Sequence, residues 1–251
     1  MNTAICLSVN ENPDYLFYKP IVEAAWEALG FDVYTSVIPL EAGTSKSQHD
    51  IRRSVTLSQV QRMFLAKELD DYDLCVTSDI DLIPLNKDYF KSAFAKKQRT
   101  IIGYDITGYT QVPMSYIAQT PLQWKACLEP YKTADELYDK EFDSKSTWEA
   151  EWCFDQIFIT ERLKVCGGLT TANMIDRVAG GKHFGRVDRS DWHNTKGMGN
   201  WIDAHLLRDF WKPESWKQIC ELLLAIGAYS PWMDDYYKNF MSTHYPHLPQ
   251  P

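Results

Sequence analysis

Short apolar runs alternate with amphipathic segments over the first hundred residues of the chain. The runs are rich in β-branched residues and occupy residues 4–9, 31–38, 74–77 and 100–104. Such runs are typical of strands buried on both faces of a sheet. Residues 20–29 and 57–69 lie between them and carry apolar side chains at helical spacing. The alternation of strands and helices predicts parallel pairing with right-handed crossovers.

The sequence pattern of the second half of the chain predicts mostly helices. Thr120 and Pro121 start one that runs through residue 128, since Thr is a favoured N-cap and Pro suits the first helical position. Residues 133–136 and 146–149 are capping boxes, and the second opens a segment over 148–163. Residues 213–226 are strongly amphipathic, whereas the tail, 229–251, is aromatic and Pro-rich without a period.

Two carboxylates, Asp79 and Asp81, follow the third apolar run. Residues two apart in an extended chain point to the same side, so both should aim at one point beyond a strand end. Open α/β sheets bind their ligands there, and paired carboxylates can hold a divalent cation and, through it, a phosphate. Pro84 is expected to end regular pairing. Two other interpretations stay open, namely a solvated surface turn and the nucleophile motif of haloacid-dehalogenase-like phosphatases.

Composition narrows the class of partner. The net charge is -8 with acidic and basic residues well mixed, which disfavours a nucleic-acid backbone but permits a phosphate ligand. The 6 cysteines are scattered without a Cys-x-x-Cys pair, so we interpret them as reduced thiols of an intracellular protein. With no signal peptide and no segment long enough to span a membrane, we expect a cytoplasmic protein. The many aromatic residues suit a carbohydrate site.

The stretch from Tyr72 to Leu85 resembles the Asp-X-Asp motif of the GT-A superfamily of nucleotide-sugar glycosyltransferases. The order of elements over residues 4–224 extends the resemblance, and small glycosyltransferases of large DNA viruses that infect algae are similar in size and start. The resemblance implies an α/β fold of GT-A (Rossmann-like) type, with a mixed, mostly parallel sheet flanked by helices. It implies one catalytic domain over residues 1–251, with a nucleotide-binding half at about 1–105 and an acceptor and sugar half at about 106–228.

The resemblance also implies a metal site. Mn²⁺ or Mg²⁺ is expected on Asp79, Asp81 and a C-terminal histidine, and Asp79 could bind ribose as well as, or instead of, the metal. His205 is favoured as that histidine because two basic residues follow it, with His183 as the second choice. His193, or no histidine at all, is the remaining alternative. Arg208 and Lys212 could then hold the diphosphate as it leaves.

Four further residues carry expected roles. Asp155 and Gln156 lie where the family has an oxygen facing the donor sugar, which would stabilise an oxocarbenium-like transition state; an exposed helix acid is the alternative for Asp155. Asn10 would meet the nucleotide base and ribose, or form a plain turn. Arg62 lies off the apolar face of its helix and could reach the nucleotide, or be a solvated charge.

The implied function is transfer of a hexosyl or deoxyhexosyl group from a UDP- or GDP-sugar to a glycan or other hydroxyl acceptor. The Asp-Gln pair slightly favours retention of configuration. Loops at 41–50 and 197–199 are candidates to close over the donor and exclude water. The alternatives are a metal-dependent phosphohydrolase or nucleotidyl enzyme, and a non-catalytic carbohydrate-binding protein.

Overall fold

The structure is a computed structural model that describes residues 2–40, 48–96, 98–103, 111–142, 152–179, 182–183, 185–192 and 201–248. Within these ranges the strands are β1 (Thr3–Asn10), β2 (Asp32–Ile38), β3 (Leu74–Thr77), β4 (Leu82–Pro84), β5 (Thr100–Gly103), β6 (Tyr116–Gln119), β7 (Asn173–Asp176), β8 (Val178–Ala179), β9 (Lys182–His183), β10 (Arg186–Val187) and β11 (Asp203–His205). Residues 41–47 of the loop predicted at 41–50, the loop predicted at 197–199 and the capping box at 146–149 lie outside the described residues. Residues 48–50 are helical and not part of a loop.

The helices of the same ranges are α1 (Pro13–Leu16), α2 (Lys19–Ala28), α3 (Gln48–Glu68), α4 (Lys87–Phe94), α5 (Pro121–Leu128), α6 (Ala134–Glu141), α7 (Phe154–Val165), α8 (Gly168–Thr171), α9 (Pro213–Ala225) and α10 (Trp232–His244). Helix α3 begins well before the predicted residue 57, and α7 begins at Phe154. No helix of the described part of the chain combines the length and apolar character needed to cross a bilayer.

Six strands form the central sheet in the order β2-β1-β3-β6-β5-β7. Strand β6 is antiparallel to both of its neighbours, and the other pairs are parallel. Side chains of β1 alternate between two cores: Ile5 and Leu7 pack in the one that contains α2, and Cys6 packs in the one that contains α3. Helices therefore cover both faces, which confirms the predicted α/β class with its mixed, mostly parallel sheet.

A second, three-stranded sheet continues from the acid-pair segment. Strand β4 pairs antiparallel with β11, with His205 opposite Leu82 and Asp203 opposite Pro84, and β11 pairs parallel with β10. Pro84 is the last residue of β4, so this strand ends where the sequence predicted that regular pairing would stop. Because β4 is an edge strand of this sheet, its proline can sit in the strand without breaking a ladder hydrogen bond.

The C-terminal tail, for which the sequence predicts no regular element, contains α10. Its buried residues are Met233, Tyr237, Phe240 and Met241, and their spacing is that of one helical face. Phe240 packs edge-on against Phe17 with ring centroids 5.2 Å apart. Aromatic density obscured this period in the sequence, because exposed Trp and Tyr residues stand beside the buried ones.

The start of α5 follows its predicted capping chemistry and allows a direct test. The Thr120 hydroxyl accepts from the Gln123 backbone N–H at 3.2 Å, and the Gln123 side chain accepts from the Thr120 N–H at 3.0 Å.

We expect Thr120→Ala to lower the free energy of unfolding by about 1 kcal/mol in a urea titration. Ser242→Ala, on an exposed helix face, should stay within about 0.5 kcal/mol of the parent. Equal effects of the two changes would contradict the capping role.

Candidate active site

The acid pair lies at the carboxyl end of β3, between the two sheets. Ser78 N–H donates to the Cys6 carbonyl at 3.1 Å, which extends the sheet by one residue, and Leu82 N–H donates to the Asp79 carbonyl at 3.4 Å. The segment is therefore a turn and not the extended chain expected from the sequence. The two carboxylates consequently have separate partners.

Asp79 belongs to a network centred on Arg62. The Arg62 guanidinium forms ion pairs with Asp79 and with Asp155, the latter at 2.7 Å, and donates to the Ser78 carbonyl at 3.0 Å. The Ser115 hydroxyl donates to the other oxygen of Asp79 at 2.7 Å. Arg62 is thus neither a solvated charge nor a free cation, but a buried bridge between α3, the acid-pair turn and the first turn of α7.

Burial shifts the pKa values of the ionisable groups in this network. Asp155 is only 3% exposed, and burial raises its pKa while Arg62 opposes the rise. Burial lowers the pKa of Arg62, but the charges of Asp79 and Asp155 outweigh it and raise the pKa above its ordinary value. The guanidinium stays charged, and it limits the rise in the pKa of Asp155.

Asp81 belongs to a second cluster, formed with β11 and the turn after β10. One Asp81 oxygen accepts from Arg189 at 2.6 Å and lies 3.2 Å from His205 Nε2. The other ring nitrogen of His205, Nδ1, lies 3.2 Å from Asp188. Burial raises the pKa of Asp81, but His205 and Arg189 outweigh it and hold the pKa below its usual range.

Backbone contacts fix this second cluster. The Leu206 N–H donates to the Asp81 carbonyl at 2.8 Å, and Arg189 Nε donates to the Leu206 carbonyl at 2.9 Å. The Trp192 indole N–H donates to the His205 carbonyl at 2.8 Å. The short pairing of β4 with β11 therefore brings Asp81 and His205 together although they are far apart in sequence.

A buried carboxylate behind the site supports this arrangement. Asp203, fully buried on β11, accepts from Arg177, Arg186 and the Tyr116 hydroxyl at 2.6–3.1 Å. Burial raises the pKa of Asp203, but the two arginines outweigh it and hold the pKa well below its usual range. Its contribution to stability is therefore present above the unfolded-state pKa and is lost as the pH falls through the folded-state pKa.

A cavity of about 550 Å³ opens beside the Asp81 cluster. Two arginines, one aspartate, four aromatic residues and a leucine line it: Arg189, Arg208, Asp14, Tyr15, Tyr18, Trp152, Trp211 and Leu206. Cationic side chains and aromatic faces together suit a ligand that is both anionic and ring-containing.

The remaining predicted residues have varied surroundings. The Asn10 side chain is buried, donates to the Ser54 hydroxyl at 3.3 Å and accepts from the Asn12 N–H at 3.3 Å. Gln156 is half-buried in the first turn of α7. Lys212 forms an exposed ion pair with Asp209 at 2.8 Å and is not among the residues lining the cavity. The roles predicted for these three residues stay predictions.

Two histidines considered for the metal cannot be compared with His205. His193 lies outside the described residues, and only the backbone of His183, in β9, is described. Among the described residues, no group of three or more His, Cys, Asp or Glu side chains is arranged to hold a metal ion. Among the predicted ligands whose side chains are described, Asp81 and His205 are the pair in contact.

Sequence reasoning missed Asp188 and Arg189 as members of the site. Both stand in the stretch Arg186–Arg189, next to the glycines at 180, 181 and 185. The repeated charges in a glycine-flanked loop were the available signal. Nothing local links this loop to Asp81, because the contact depends on strands β4, β10 and β11 meeting.

Comparison with solved structures finds glycosyltransferases. A glycosyltransferase involved in the glycosylation of the major capsid of PBCV-1 has 10% identity, covers 88% of this chain and 99% of its own, and gives a TM-score of 0.46. The catalytic domain of Drosophila beta1,4-galactosyltransferase 7 has 12% identity, 84% and 73% coverage, and a TM-score of 0.45. The glycosyltransferase GlyE of Streptococcus pneumoniae has 7% identity, 94% and 64% coverage, and a TM-score of 0.49.

These neighbours are of the class predicted from the acid-pair stretch, and one Drosophila structure is a complex with manganese, UDP-Gal and xylobiose. Neither protein-family models nor curated proteins match the sequence. With identities of 7–12% and TM-scores of 0.39–0.49, these likenesses assign no activity to this chain.

Proposed function

We propose that this chain is a metal-dependent glycosyltransferase that moves a sugar from a nucleotide-diphosphate sugar to a hydroxyl acceptor. The observation that carries the proposal is the Asp81 cluster and its cavity. A carboxylate and an imidazole 3.2 Å apart stand beside Arg189, and the cavity adds Arg208 and aromatic walls. A candidate metal-ligand pair, two cations and ring faces are groups that suit a nucleoside diphosphate.

In this proposal, Asp81 and His205 would hold the divalent cation. An aspartate oxygen and an imidazole nitrogen are ligands that Mn²⁺ accepts, and a carboxylate fits Mg²⁺ as well. The contact between His205 Nδ1 and Asp188 is the outer partner that usually orients a metal-binding histidine and leaves Nε2 for the metal. When bound, the cation would neutralise the diphosphate and make it a better leaving group.

Asp79 fits a different role from Asp81. Both of its oxygens already accept, one from Arg62 and one from Ser115. We therefore assign Asp79 to the ribose or the donor sugar, the option that the sequence left open beside metal binding.

The state of Asp155 favours retention. A general base must reach the proton it removes, within about 3.2 Å. Asp155 is instead buried and held by Arg62 at 2.7 Å. The neighbouring Gln156 is half-buried at the start of α7, and its amide oxygen is the group we propose beside the anomeric carbon, where a fixed dipole would stabilise positive charge.

The donor would be a UDP- or GDP-sugar carrying a hexose or deoxyhexose, and the acceptor a glycan. Aromatic residues that line the cavity, such as Trp152 and Trp211, suit stacking on a base or sugar ring.

Thermal unfolding with a panel of nucleoside diphosphates and nucleotide sugars tests the proposal, with Mn²⁺ or with chelator. A ligand at 100 times its dissociation constant adds about 2.7 kcal/mol, which raises the melting temperature visibly. The proposal would be supported if one nucleotide raised the melting temperature in the presence of Mn²⁺ and not in the presence of chelator. Release of phosphate without an acceptor would favour the phosphohydrolase alternative, and glycan binding without nucleotide or metal would favour the carbohydrate-binding alternative.

Arg208 and Lys212 allow a matched comparison of two exposed cations near the cavity. We expect Arg208→Ala to weaken binding of the nucleoside diphosphate about tenfold, because a charge-assisted contact to phosphate is lost. Lys212→Ala should change the dissociation constant less than twofold, since Lys212 pairs with Asp209 and does not line the cavity. Fluorescence titration measures both, and a stronger effect of Lys212→Ala would show that the diphosphate lies elsewhere.

A further inference from the structure

Two cysteines from different helices meet on the side of the molecule formed by α5 and α7. Cys127, near the end of α5, and Cys166, the C-cap of α7, have sulfur atoms 3.4 Å apart. A disulfide bond is about 2.05 Å long and needs the two residues close enough to bond without backbone movement. The sulfurs are already in contact at 3.4 Å, which is the proximity that disulfide formation first requires.

The helices that carry this pair are tied together independently of it. Arg162 Nε donates to the Cys127 carbonyl at 2.7 Å, and its Nη2 donates to the Glu129 carbonyl. Arg162 lies one turn before Cys166. The approach of the two sulfurs therefore rests on a fixed helix–helix contact and not on the rotamers of the cysteines alone.

The two cysteines differ in solvent exposure, and this difference gives them different chemical roles. Cys166 is exposed and Cys127 is buried, so an oxidant in solution reaches Cys166 first. The buried Arg99 guanidinium lies 4.0 Å from the Cys127 sulfur, where a positive charge stabilises a developing thiolate. Burial otherwise raises the pKa of Cys127 to about 12, which keeps it protonated until its partner is oxidised.

We propose that Cys166 and Cys127 form a peroxide-sensitive disulfide site, with Cys166 as the thiol attacked and Cys127 as the resolving thiol. The Cys166 sulfur attacks a hydroperoxide, the O–O bond breaks, and water or an alcohol leaves with the proton as a sulfenic acid forms. The Cys127 sulfur then attacks the sulfenic sulfur, the S–O bond breaks, and water leaves with the Cys127 proton. Two thiols are oxidised and one hydroperoxide is reduced.

The other neighbouring cysteines provide an internal comparison. Cys6 and Cys75 also interact, and burial and the Cys75 thiol raise the pKa of Cys6. Both are fully buried in the sheet, so hydrogen peroxide has no accessible thiol to oxidise there. The proposal is independent of the glycosyltransferase reaction, because its readout is thiol chemistry and needs no substrate.

The test treats the reduced full-length protein with a small excess of hydrogen peroxide and then alkylates it with N-ethylmaleimide in denaturant. We expect two fewer adducts than the 6 cysteines allow, a tryptic peptide that joins Cys127 to Cys166, and full reversal by dithiothreitol. The cross-link should raise the melting temperature by on the order of 5–10 °C, since it closes a loop between residues 39 apart. Full alkylation of Cys127 and Cys166, or a cross-link between any other pair, would overturn the proposal.

Variants separate the two roles. Cys127→Ser should leave a Cys166 sulfenic acid that dimedone labels, and Cys166→Ser should leave Cys127 unmodified by the same peroxide dose. Cys220→Ser, at a half-buried cysteine away from the pair, should form the cross-link as the parent does. Peptide mapping of the unmodified sequence gives the decisive result even where a variant fails to fold. A sulfenic acid on Cys166 of the parent without a cross-link would also contradict the proposal.

Discussion

Replacing Asp81 by asparagine is expected to weaken metal-dependent binding of a nucleoside diphosphate a hundredfold or more, about 2.7 kcal/mol. The change removes the negative charge that would hold the cation and leaves Arg189, at 2.6 Å from the present carboxylate, without its ion-pair partner. The fold should persist, because the residue lies in a turn at the edge of both sheets. Isothermal titration calorimetry with Mn²⁺ present and absent measures the effect.

Two control variants test whether the effect on metal-dependent binding is specific to Asp81. Asp188→Asn keeps an oxygen near His205 Nδ1 and should cost only about tenfold, the usual range for an outer partner of a metal ligand. Asp79→Asn should weaken binding of the nucleotide sugar without abolishing the metal dependence, since Asp79 is bonded to Arg62 and Ser115. Normal metal-dependent binding by Asp81→Asn would refute the metal assignment, and loss of that dependence in Asp79→Asn would return Asp79 to the metal.

Arg62→Met should lower the free energy of unfolding by about 3–5 kcal/mol, because it leaves the buried Asp155 carboxylate without its counter-charge. The two side chains are 8% and 4% exposed, so solvent cannot replace the lost ion pair. Chemical denaturation monitored by circular dichroism measures the change. Arg53→Met on the same helix is the matched control: its ion pairs with Asp135 and Asp139 lie at the surface, and we expect a loss of no more than about 1 kcal/mol.

The pH dependence of the Arg62 variant has a defined sign. Arg62 is the main group that lowers the pKa of Asp155 against its burial, so its removal raises that pKa further. Between the unfolded-state and folded-state pKa values the folded protein then binds more protons, and the free energy of unfolding rises as the pH falls. Arg62→Met/Asp155→Asn should recover 1–3 kcal/mol of stability, about the size of coupling expected for contacting residues. A variant that loses stability throughout mild acidification would contradict the buried network.

The central strands could be predicted because each is marked by a short apolar run of neighbouring residues. Residues 4–9 and 74–77 are continuous apolar runs, and the structure has strands at Thr3–Asn10 and Leu74–Thr77. The same holds for α5, whose cap residues Thr120 and Gln123 interact within one turn. Where a few neighbouring residues decide the conformation, the sequence is sufficient.

The partners of the acid pair could not be predicted in this way. Asp79 and Asp81 were identified by their position after a strand, but the turn that separates them depends on Arg62 and Arg189, which are 17 and 108 residues away. The spacing rule for extended chain does not apply once two such ion pairs draw the carboxylates apart. In the sequence, Arg62 is only a basic residue outside the apolar face of its helix. Its ion pair with Asp155 forms because α7 packs against α3.

The three-residue pairing of β4 with β11 has a consequence for when the proposed nucleotide site can form during synthesis. Asp81 and His205 are 124 residues apart, so at 5–20 residues per second the second leaves the ribosome roughly 6–25 s after the first. A nascent chain that has already formed its amino-terminal sheet would still be unable to bind a metal nucleotide. Recovery of ligand binding during refolding should accordingly trail recovery of helical signal, and the interval would report the docking of the carboxyl-terminal quarter of the chain.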